Sequence, residues 1–445
     1  MKNIAGKVID KVADYCKKKG VDQYEMMIYE NLSFDISSRM KAIEHLEQDK
    51  SRAFGLRVLM GKKQSFVSSS DLSDQSISQT IDKAVDMARV SPEDAFNDLP
   101  DEDLFVKEVK DLKLSCDSVP TVDKLMEDAL EIEEFALAAP SISNSHGASC
   151  NYSNSDVYFA NSKGINLSYS SSSFSKSMAC IASDENGMEY DYDYSVSRDY
   201  RQLKDNKFIA DEAAKRAKAK LGARKIESRK IAVIFTPRIA RSFIASFAGL
   251  SNGQNFVLGT SFLKDHLGKK IFPTNVSIVD DPHIIGGLGS CPFDSEAVQN
   301  KKMNIVAGGL FEVCMLDCYH AKKLGMKTTG HAKRGLSSPT HPGLSNFYLE
   351  NGDKSFEDLL NFENEVIVID SVFSSNLNSL NGDISQGFSG FYYKDGQLQF
   401  PISEVSYAGN LLDFYKEIIP ANDLKFESSV NSPSIFIPNV TIAGK

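Results

Sequence analysis

Two acids stand close together in the segment GSCPFDSEA, residues 289–297. Asp294 and Glu296 follow a Pro-Phe pair and are separated by one serine. Positioned carboxyl groups can act as general acid and general base. The favoured alternative is structural: the two acids cap a helix that begins near Ser295, or they lie at the surface. We treat Asp294 and Glu296 as candidate catalytic residues with that alternative open.

Two histidines occur in a glycine- and proline-rich stretch. His331 and His341 lie within residues 325–343, which contain six glycines or prolines and which we expect to form a long, flexible loop. Histidine is the side chain whose proton exchange falls nearest neutral pH. The pair could be mobile active-site groups or simply solvated side chains. They complete a set of four candidate catalytic residues.

A cysteine pair near a third histidine raises the question of a metal. If residues 314–320 are helical, Cys314 and Cys318 share one face and could hold a soft metal ion. His320 would then point elsewhere, and no fourth ligand is evident. Small thiols on a buried face are the favoured alternative. No metal site is therefore predicted in this chain.

Several catalytic motifs are absent from the sequence. No histidine is followed by glutamate, so the His-Glu-x-x-His layout of zinc hydrolases is missing. The chain has no Walker phosphate loop and no Gly-x-Ser-x-Gly nucleophile elbow. Gly286-Gly287-Leu288-Gly289 lacks the spacing of a dinucleotide-binding loop. Motif chemistry alone therefore assigns no reaction.

Composition narrows the class of protein and its partners. The 445 residues carry a formal net charge of −10, and lysine and arginine form no concentrated stripe. This disfavours nucleic acid and anionic membranes as main partners. No apolar run reaches the roughly 18 residues needed to span a bilayer, and the N-terminus lacks the apolar core of a signal peptide. We expect a cytoplasmic protein.

The pattern of helices and strands predicts three segments. We predict a helix-sheet-helix domain in residues 1–100 and a helix with an antiparallel sheet in residues 110–222. Residues 229–445 are predicted to form a larger, sheet-rich C-terminal domain. Strands and helices mix without a regular βαβ repeat. The fold class is therefore α+β, with mixed, largely antiparallel sheets and flanking helices.

Some local elements are predicted in detail. Short extended runs at residues 24–29, 32–38, 41–46 and 52–60 suggest a meander. The serine- and tyrosine-rich stretch 141–200 alternates like strands with one wet face. Asp395-Gly396 favours the tight turn of a hairpin, and Asn410 suits the N-cap of a helix that starts at Leu411.

The C-terminal half contains a series of distinctive pieces whose order and spacing run across more than 200 residues. They are GTSFLKDHLGKKI (259–271), VSIVDDP (276–282), GSCPFDSEA (289–297), AKKLGMKTTGHAKR (321–334), LSNFYLENGDKS (344–355), GDISQGFSGFYYKDGQLQFPISEVSYAGNL (382–411) and the terminal Ala443-Gly444. Taken together, these pieces resemble a known family, the TldD/TldE (PmbA) proteins.

The family has two branches, and this chain is similar to the TldE (PmbA) branch. The TldD branch carries zinc on a His-Glu-x-x-x-His helix with a distant cysteine ligand. The equivalent helix here, residues 241–249, has neither histidine nor glutamate, and no cysteine follows Cys318. The resemblance therefore implies no cofactor in this chain, with zinc only in the partner. His331 departs from the family pattern, in which asparagine is common.

What the resemblance implies is a subunit of a two-chain enzyme. It predicts a heterodimer with a TldD-like subunit, or a homodimer when the chain is alone, forming a zinc peptidase that acts on unfolded or modified peptides. The alternative is a non-enzymatic binding protein that modulates another enzyme, as the family's gyrase-modulator label suggests. A third hypothesis is an independent enzyme that uses the four candidate residues.

Five residues near the hairpin are candidates for a wall of the peptide chamber or the subunit interface. The glycines among them are expected to shape that wall. They are Gly387, Gly390, Glu404, Gly409 and Asn410.

Overall fold

A computed structural model describes residues 2–185 and 187–444. Within them, antiparallel and mixed sheets are flanked by helices, so the predicted α+β class is confirmed. No helix in these ranges is both long and apolar enough to cross a membrane.

The helices of the described ranges are mostly short. The α-helices are α1 Lys2–Lys18, α2 Asp74–Val90, α3 Val122–Ala138, α4 Asn206–Ala219, α5 Pro237–Leu250, α6 Gly253–Leu258, α7 Cys318–Leu324, α8 Phe356–Leu360 and α9 Leu411–Glu417, and the 3-10 helices are Glu102–Leu104, Tyr200–Gln202 and Phe262–His266.

A six-stranded antiparallel sheet, here called the first sheet, dominates the first half of the chain. Its spatial order is β3-β2-β1-β4-β5-β6. The pairing of β1 with β4 joins the first two predicted segments in one sheet; the division into domains stays a prediction. The strands are β1 Gln23–Arg39, β2 Ala42–Met60, β3 Lys63–Ser69, β4 Ile142–Asn161, β5 Asn166–Asp184 and β6 Gly187–Ser197.

The expected meander has fewer and longer strands than its sequence pattern indicates. The four short runs between residues 24 and 60 merge into β1 and β2, which pair from Gln23–Leu59 to Ser37–His45 without interruption. The sequence pattern is misleading because residues 42–52 of β2 are mostly exposed. A strand that is exposed to solvent on both faces shows no alternation of apolar and polar residues. Its backbone hydrogen bonds to the neighbouring strand nevertheless continue.

Four helices cover one face of the first sheet. Met26 and Ile28 on β1 pack with α1 and α2, and Ile36 on the same face packs with α3 and α4. Side chains two residues apart share a face of a strand. Glu25 therefore faces the opposite side, where it meets the C-terminal domain through Arg334.

Five strands of the C-terminal domain close into a ring. The sheet order is β16-β15-β14-β7-β19-β17, and an additional pairing of β16 with β19 completes the closure. Closure removes most free sheet edges. The strands are β7 Arg229–Phe235, β14 Glu365–Leu377, β15 Asp383–Lys394, β16 Gln397–Asn410, β17 Ile419–Pro420 and β19 Ile435–Ala443.

The hairpin of the ring follows the sequence prediction. Asp395 and Gly396 connect β15 to β16 with φ angles of 49° and 70°, the left-handed conformation of a tight hairpin turn. Asn410 caps α9, since its side chain accepts a hydrogen bond from the Leu412 N–H. Both predictions are confirmed.

A five-stranded sheet packs beside the ring in the order β10-β9-β8-β13-β18. Residues 325–343, expected to be flexible, include a small hairpin of β11 and β12. Apart from that hairpin the stretch is loop, as predicted, but the expected flexibility is wrong for Arg334 and His331, whose side chains are buried against neighbouring elements. The remaining strands are β8 Ile278–Asp280, β9 Met303–Ala307, β10 Leu310–Phe311, β11 Ala332–Lys333, β12 His341–Pro342, β13 Phe347–Leu349 and β18 Val430–Asn431.

Candidate functional site

A cleft separates the edge of the first sheet from the ring. We call it the α5 cleft, because the first turns of α5 form its centre. It comprises a smaller cavity of about 370 Å³ and a larger one of about 560 Å³. Arg238, Arg241 and Asp370 line both cavities, so the two adjoin. Concave sites of this size are where proteins bind small ligands and peptide ends.

The sequence of β6 explains one wall of the cleft. Its alternation Tyr-Asp-Tyr-Asp-Tyr, residues 190–194, puts the aromatic rings on one face and the acids on the other. The three rings follow one another along the strand in tilted pairs, with centroids 6.4 and 6.3 Å apart. Asp191 and Asp193 face inward and are 1% and 4% exposed. Buried carboxylates need cationic partners, and the cleft supplies them.

Arg238 holds the cleft together at its centre. Its guanidinium donates to Asp191 at 2.7 Å and stacks 3.9 Å from the centre of the Tyr192 ring. Lys220 reaches the other oxygen of Asp191 at 2.5 Å. Burial tends to raise the pKa of Asp191, but the charges of Lys220 and Arg238 outweigh it, and the pKa lies below its ordinary value. Asp191 is therefore a structural anion with two cationic partners.

The local sequence explains why the arginines of α5 face β6. The buried strand β7 ends at Phe235, and Pro237 occupies the first turn of the helix, where its missing N–H costs nothing. Ile239, Ala240 and Phe243 point into the core. The remaining face of the helix carries Arg238, Arg241, Ser242, Ala245 and Ser246.

The ring contributes an open strand edge to the larger cavity. β14 pairs with β15 along its length, but it pairs with β7 only through residues 366–369. Beyond Ile369, no described strand pairs with its second edge. Ser371, Val372 and the half-exposed Phe373 line the cavity there. Strand edges of this kind bind extended peptides by adding a strand.

None of the four predicted catalytic residues lines the α5 cleft. Asp294 and Glu296 are 3% and 1% exposed, and no helix begins near Ser295. The expected capping of such a helix and the expected surface position are both wrong. The Asp294 carboxylate instead accepts the backbone N–H groups of Glu296, Val298 and Ala332, at 2.8–3.1 Å. It ties its own segment, residues 294–298, to the start of β11.

Glu296 serves a similar purpose at the start of α7. Its carboxylate accepts the backbone N–H of Cys318, the first residue of α7, at 2.9 Å. Burial raises the pKa of both Asp294 and Glu296, and repulsion from the neighbouring Asp294 and Asp317 raises that of Glu296 further. The two predicted acids are thus close together, within the core.

The two candidate histidines differ in environment. His331 is 3% exposed, with Nε2 3.3 Å from Asp280 and Nδ1 2.8 Å from the Thr329 hydroxyl. The expectation of a mobile or solvated side chain is wrong for His331, because these partners fix its ring. His341 is exposed on β12. The two histidines are not brought together with the acids in a cavity.

The five wall candidates have partners within this chain. A Cβ atom on Gly387 would lie 2.8 Å from the Phe373 ring, one on Gly390 2.1 Å from the Val368 carbonyl oxygen, and one on Gly409 2.2 Å from the Phe414 ring. Internal packing therefore already requires these glycines. Glu404 is exposed, and its carboxylate lies 2.7 Å from the Lys225 ammonium. Asn410 caps α9. Their assignment to a chamber or interface stays a prediction.

Sequence reasoning missed the cleft residues Asp191, Asp193, Arg238 and Arg241. One signal could have found them: acids on the buried face of an aromatic strand require cations from elsewhere. The sequence does not show which cations, since Arg238 lies 47 residues from Asp191.

Comparison with known proteins finds matches over most of the chain. Residues 228–444 match the model of the PmbA/TldA metallopeptidase C-terminal domain, residues 117–221 that of the central domain, and residues 24–88 that of domain 1. The metalloprotease PmbA homolog of Haemophilus influenzae is 33% identical over 423 residues, 94% of this chain and 92% of that protein. The chain belongs to the PmbA/TldD metallopeptidase family.

Two solved structures share the fold. A Bacteroides thetaiotaomicron protein with a gyrase-modulator label superimposes with a TM-score of 0.92 at 25% identity, covering 99% of both chains. TldE from Thermococcus kodakarensis superimposes with a TM-score of 0.87 at 20% identity, covering 98% of this chain and 100% of that one. The second likeness concerns the fold alone.

The family description implies a metal ion, which the residues of this chain do not fit. In the described ranges no three histidine, cysteine, aspartate or glutamate side chains converge as metal ligands. The cleft face of α5 offers arginine, serine and alanine instead, and arginine repels a divalent cation. Cys314 precedes α7 rather than lying on a shared helix face with Cys318, so the expected helical pair is wrong. Both thiols are buried, as the favoured alternative predicts.

Proposed function

We propose that this chain is the metal-free, TldE/PmbA-like subunit of a heterodimeric TldD–TldE zinc metallopeptidase that degrades or processes unfolded or modified peptides. The observation that carries the proposal is the helix after β7. The chain has the fold of a metallopeptidase family, but α5 presents Arg238 and Arg241 to the α5 cleft where a metal site would need ligands. The hydrolytic metal then belongs to the TldD-like partner, and this chain is non-catalytic alone.

The open edge of β14 supports a role in holding peptide. An extended peptide hydrogen-bonds to such an edge through its main chain, which every unfolded polypeptide can offer. Folded proteins hide their own main chain in secondary structure, so an edge of this kind selects unfolded segments. The bulges of β14 after Ile369 and Phe373 bend that edge, which limits sheet-to-sheet aggregation.

Assembly with the partner is the test of this proposal. The purified chain and a TldD-like chain from the same genome should elute together in size-exclusion chromatography. The mixture should hydrolyse an unfolded, labelled polypeptide, which the lone chain should leave intact. Hydrolysis by the lone chain, or tight binding to another enzyme without a TldD-like chain, would favour the alternatives of an independent enzyme or a binding protein.

A further inference from the structure

The smaller cavity of the α5 cleft contains two cations that lack a carboxylate partner. Arg241 and Lys425 both line it, and no carboxylate oxygen in the described ranges lies within 4.0 Å of either charge. Among the residues that the structure describes, Arg241 donates a hydrogen bond only to the Tyr194 hydroxyl. Two cations without a carboxylate partner in one concave site attract an anionic group.

A buried acceptor faces the same cavity. Asp193 is 4% exposed, and its Oδ2 atom makes no hydrogen bond. Lys204 is 3.7 Å from that oxygen, beyond hydrogen-bond distance, and Arg216 lies 3.5 Å from the other one. Burial raises the pKa of Asp193, and the two cations do not fully offset that effect. A buried carboxylate oxygen without a donor is costly, and a ligand N–H would remove that cost.

The first turn of α5 adds a third feature. Thr236 occupies the N-cap position without a side-chain hydrogen bond to the helix, and Pro237 brings no N–H. The positive end of this 14-residue helix therefore opens towards the cavity. The Ile239 and Ala240 N–H groups already bond to the Thr236 carbonyl oxygen at 2.8 Å, so the Arg238 N–H, free among the described residues, and the helix dipole are what favour a bound anion here.

We propose that the smaller cavity binds the carboxyl terminus of a peptide. The terminal carboxylate lies between Arg241, Lys425 and the first turn of α5. The last amide N–H of the peptide donates to Asp193 Oδ2. The cavity, about 370 Å³, holds the end of a chain, and the preceding residues continue into the larger cavity along β14.

The charges on the wall disfavour the other ligand classes. Four carboxylates line the cavity and would repel the several negative charges of a phosphate chain more strongly than the single charge of a carboxylate: Asp193, Glu212, Asp370 and Glu427. Arg241 and Lys425 would repel a lone amine. A single carboxylate with an N–H group beside it satisfies both the free cations and the free acceptor.

This inference rests on the proposed function for its substrate, since it names the end of the peptide that the subunit holds. Its test does not depend on the partner, because it measures binding to the lone chain. Peptide binding can fail while the assembled pair still hydrolyses peptides, and the reverse can also occur.

The test compares three short peptides on the full-length chain. Fluorescein is attached to the N-terminus of a tetrapeptide, and anisotropy reports binding of its free acid, its C-terminal amide and a form methylated on the last amide nitrogen. The free acid should bind about tenfold more tightly than either analogue, as expected for one charge-assisted hydrogen bond. Equal affinity for acid and amide, or no binding of the acid at millimolar concentration, would overturn the proposal.

Variants locate the site. Arg241→Gln and Lys425→Gln should each remove most of the preference for acid over amide. Arg52→Gln, at an exposed arginine of β2 far along the first sheet, is the matched control and should preserve it. Because Lys425 is exposed, its substitution leaves the fold intact even if the Arg241 variant unfolds. An unchanged preference in the Lys425 variant, or displacement of the peptide by pyrophosphate in preference to acetate, would contradict the assignment.

Discussion

The guanidinium carbon of Arg238 lies 3.9 Å from the centre of the Tyr192 ring, and the same group forms an ion pair with Asp191. This contact connects the edge strand of the first sheet to the first turn of α5. Because Arg238 contacts both Asp191 and Tyr192 of β6, it holds the start of α5 at a fixed distance from that strand. The cleft is therefore built by electrostatic and aromatic contacts between residues that are far apart in the sequence.

Removal of Arg238 should destabilise the protein. Arg238→Met leaves Asp191 buried with Lys220 as its only cation. We expect a loss of about 3 kcal/mol in the free energy of unfolding, the lower end for a broken buried pair, measured by urea denaturation. The control is Arg201→Met, which breaks a partly exposed pair with Asp199 and should cost no more than about 1 kcal/mol. Equal effects of the two substitutions would contradict this role of Arg238.

The buried acids should make stability depend on pH. The pKa values of Asp294 and Glu296 are raised in the folded state, so the folded protein retains protons that the unfolded chain has released. Stability should therefore fall as the pH rises from the ordinary carboxyl range, about 4, through neutrality. Thermal melts of Glu296→Gln should show a weaker decline, while Glu93→Gln, at an exposed site, should match the wild type. A parallel decline in all three proteins would refute this.

A substitution at Gly390 tests whether this glycine is required by internal packing or by a role at the surface. A methyl group there would lie 2.1 Å from the Val368 carbonyl oxygen, so β14 and β15 could not keep their spacing. Gly390→Ala should cost about 2 kcal/mol or more of unfolding free energy, as overpacking does. Gly249→Ala is the control, since no atom lies within 4 Å of its Cβ position at the end of α5, and it should be neutral or slightly stabilising. Chemical denaturation of both variants settles the comparison.

Phe373 should matter for peptide affinity in the assembled enzyme. Its half-exposed ring forms part of the larger cavity beside the open edge of β14. Phe373→Ala should raise KM for an unfolded peptide about fivefold and leave kcat unchanged, because lost ground-state contacts act on binding. Leu398→Ala removes a side chain of similar exposure, 53% against 48%, from the β15–β16 hairpin. If both variants behave alike in steady-state kinetics, β14 is not the peptide-binding edge.

Local chemistry predicted the elements whose causes lie within a few residues. Asp395-Gly396 forms the expected turn because its backbone conformation is set by those two residues. Asn410 caps α9 for the same reason. The class of fold followed from the mixture of such elements.

Features that depend on long-range contacts escaped sequence reasoning. The burial of His331 is fixed by Asp280, 51 residues earlier, and that of Asp294 by backbone groups as far away as Ala332. Strands β1 and β4 pair with each other although the paired residues are more than a hundred positions apart in the sequence. A motif search favours histidines and acids as catalytic groups, yet here they stabilise the core, while arginines and tyrosines form the cleft.

The zinc content of the lone chain and of the assembled pair tests the central claim most directly. Both should be dialysed against buffer with trace zinc, measured by inductively coupled plasma mass spectrometry, and assayed for hydrolysis of an unfolded peptide. We predict less than about 0.1 zinc per lone chain with no hydrolysis, and about one zinc per pair with hydrolysis, as for a single catalytic site with three protein ligands. One zinc bound by the lone chain, together with peptidase activity, would contradict the account.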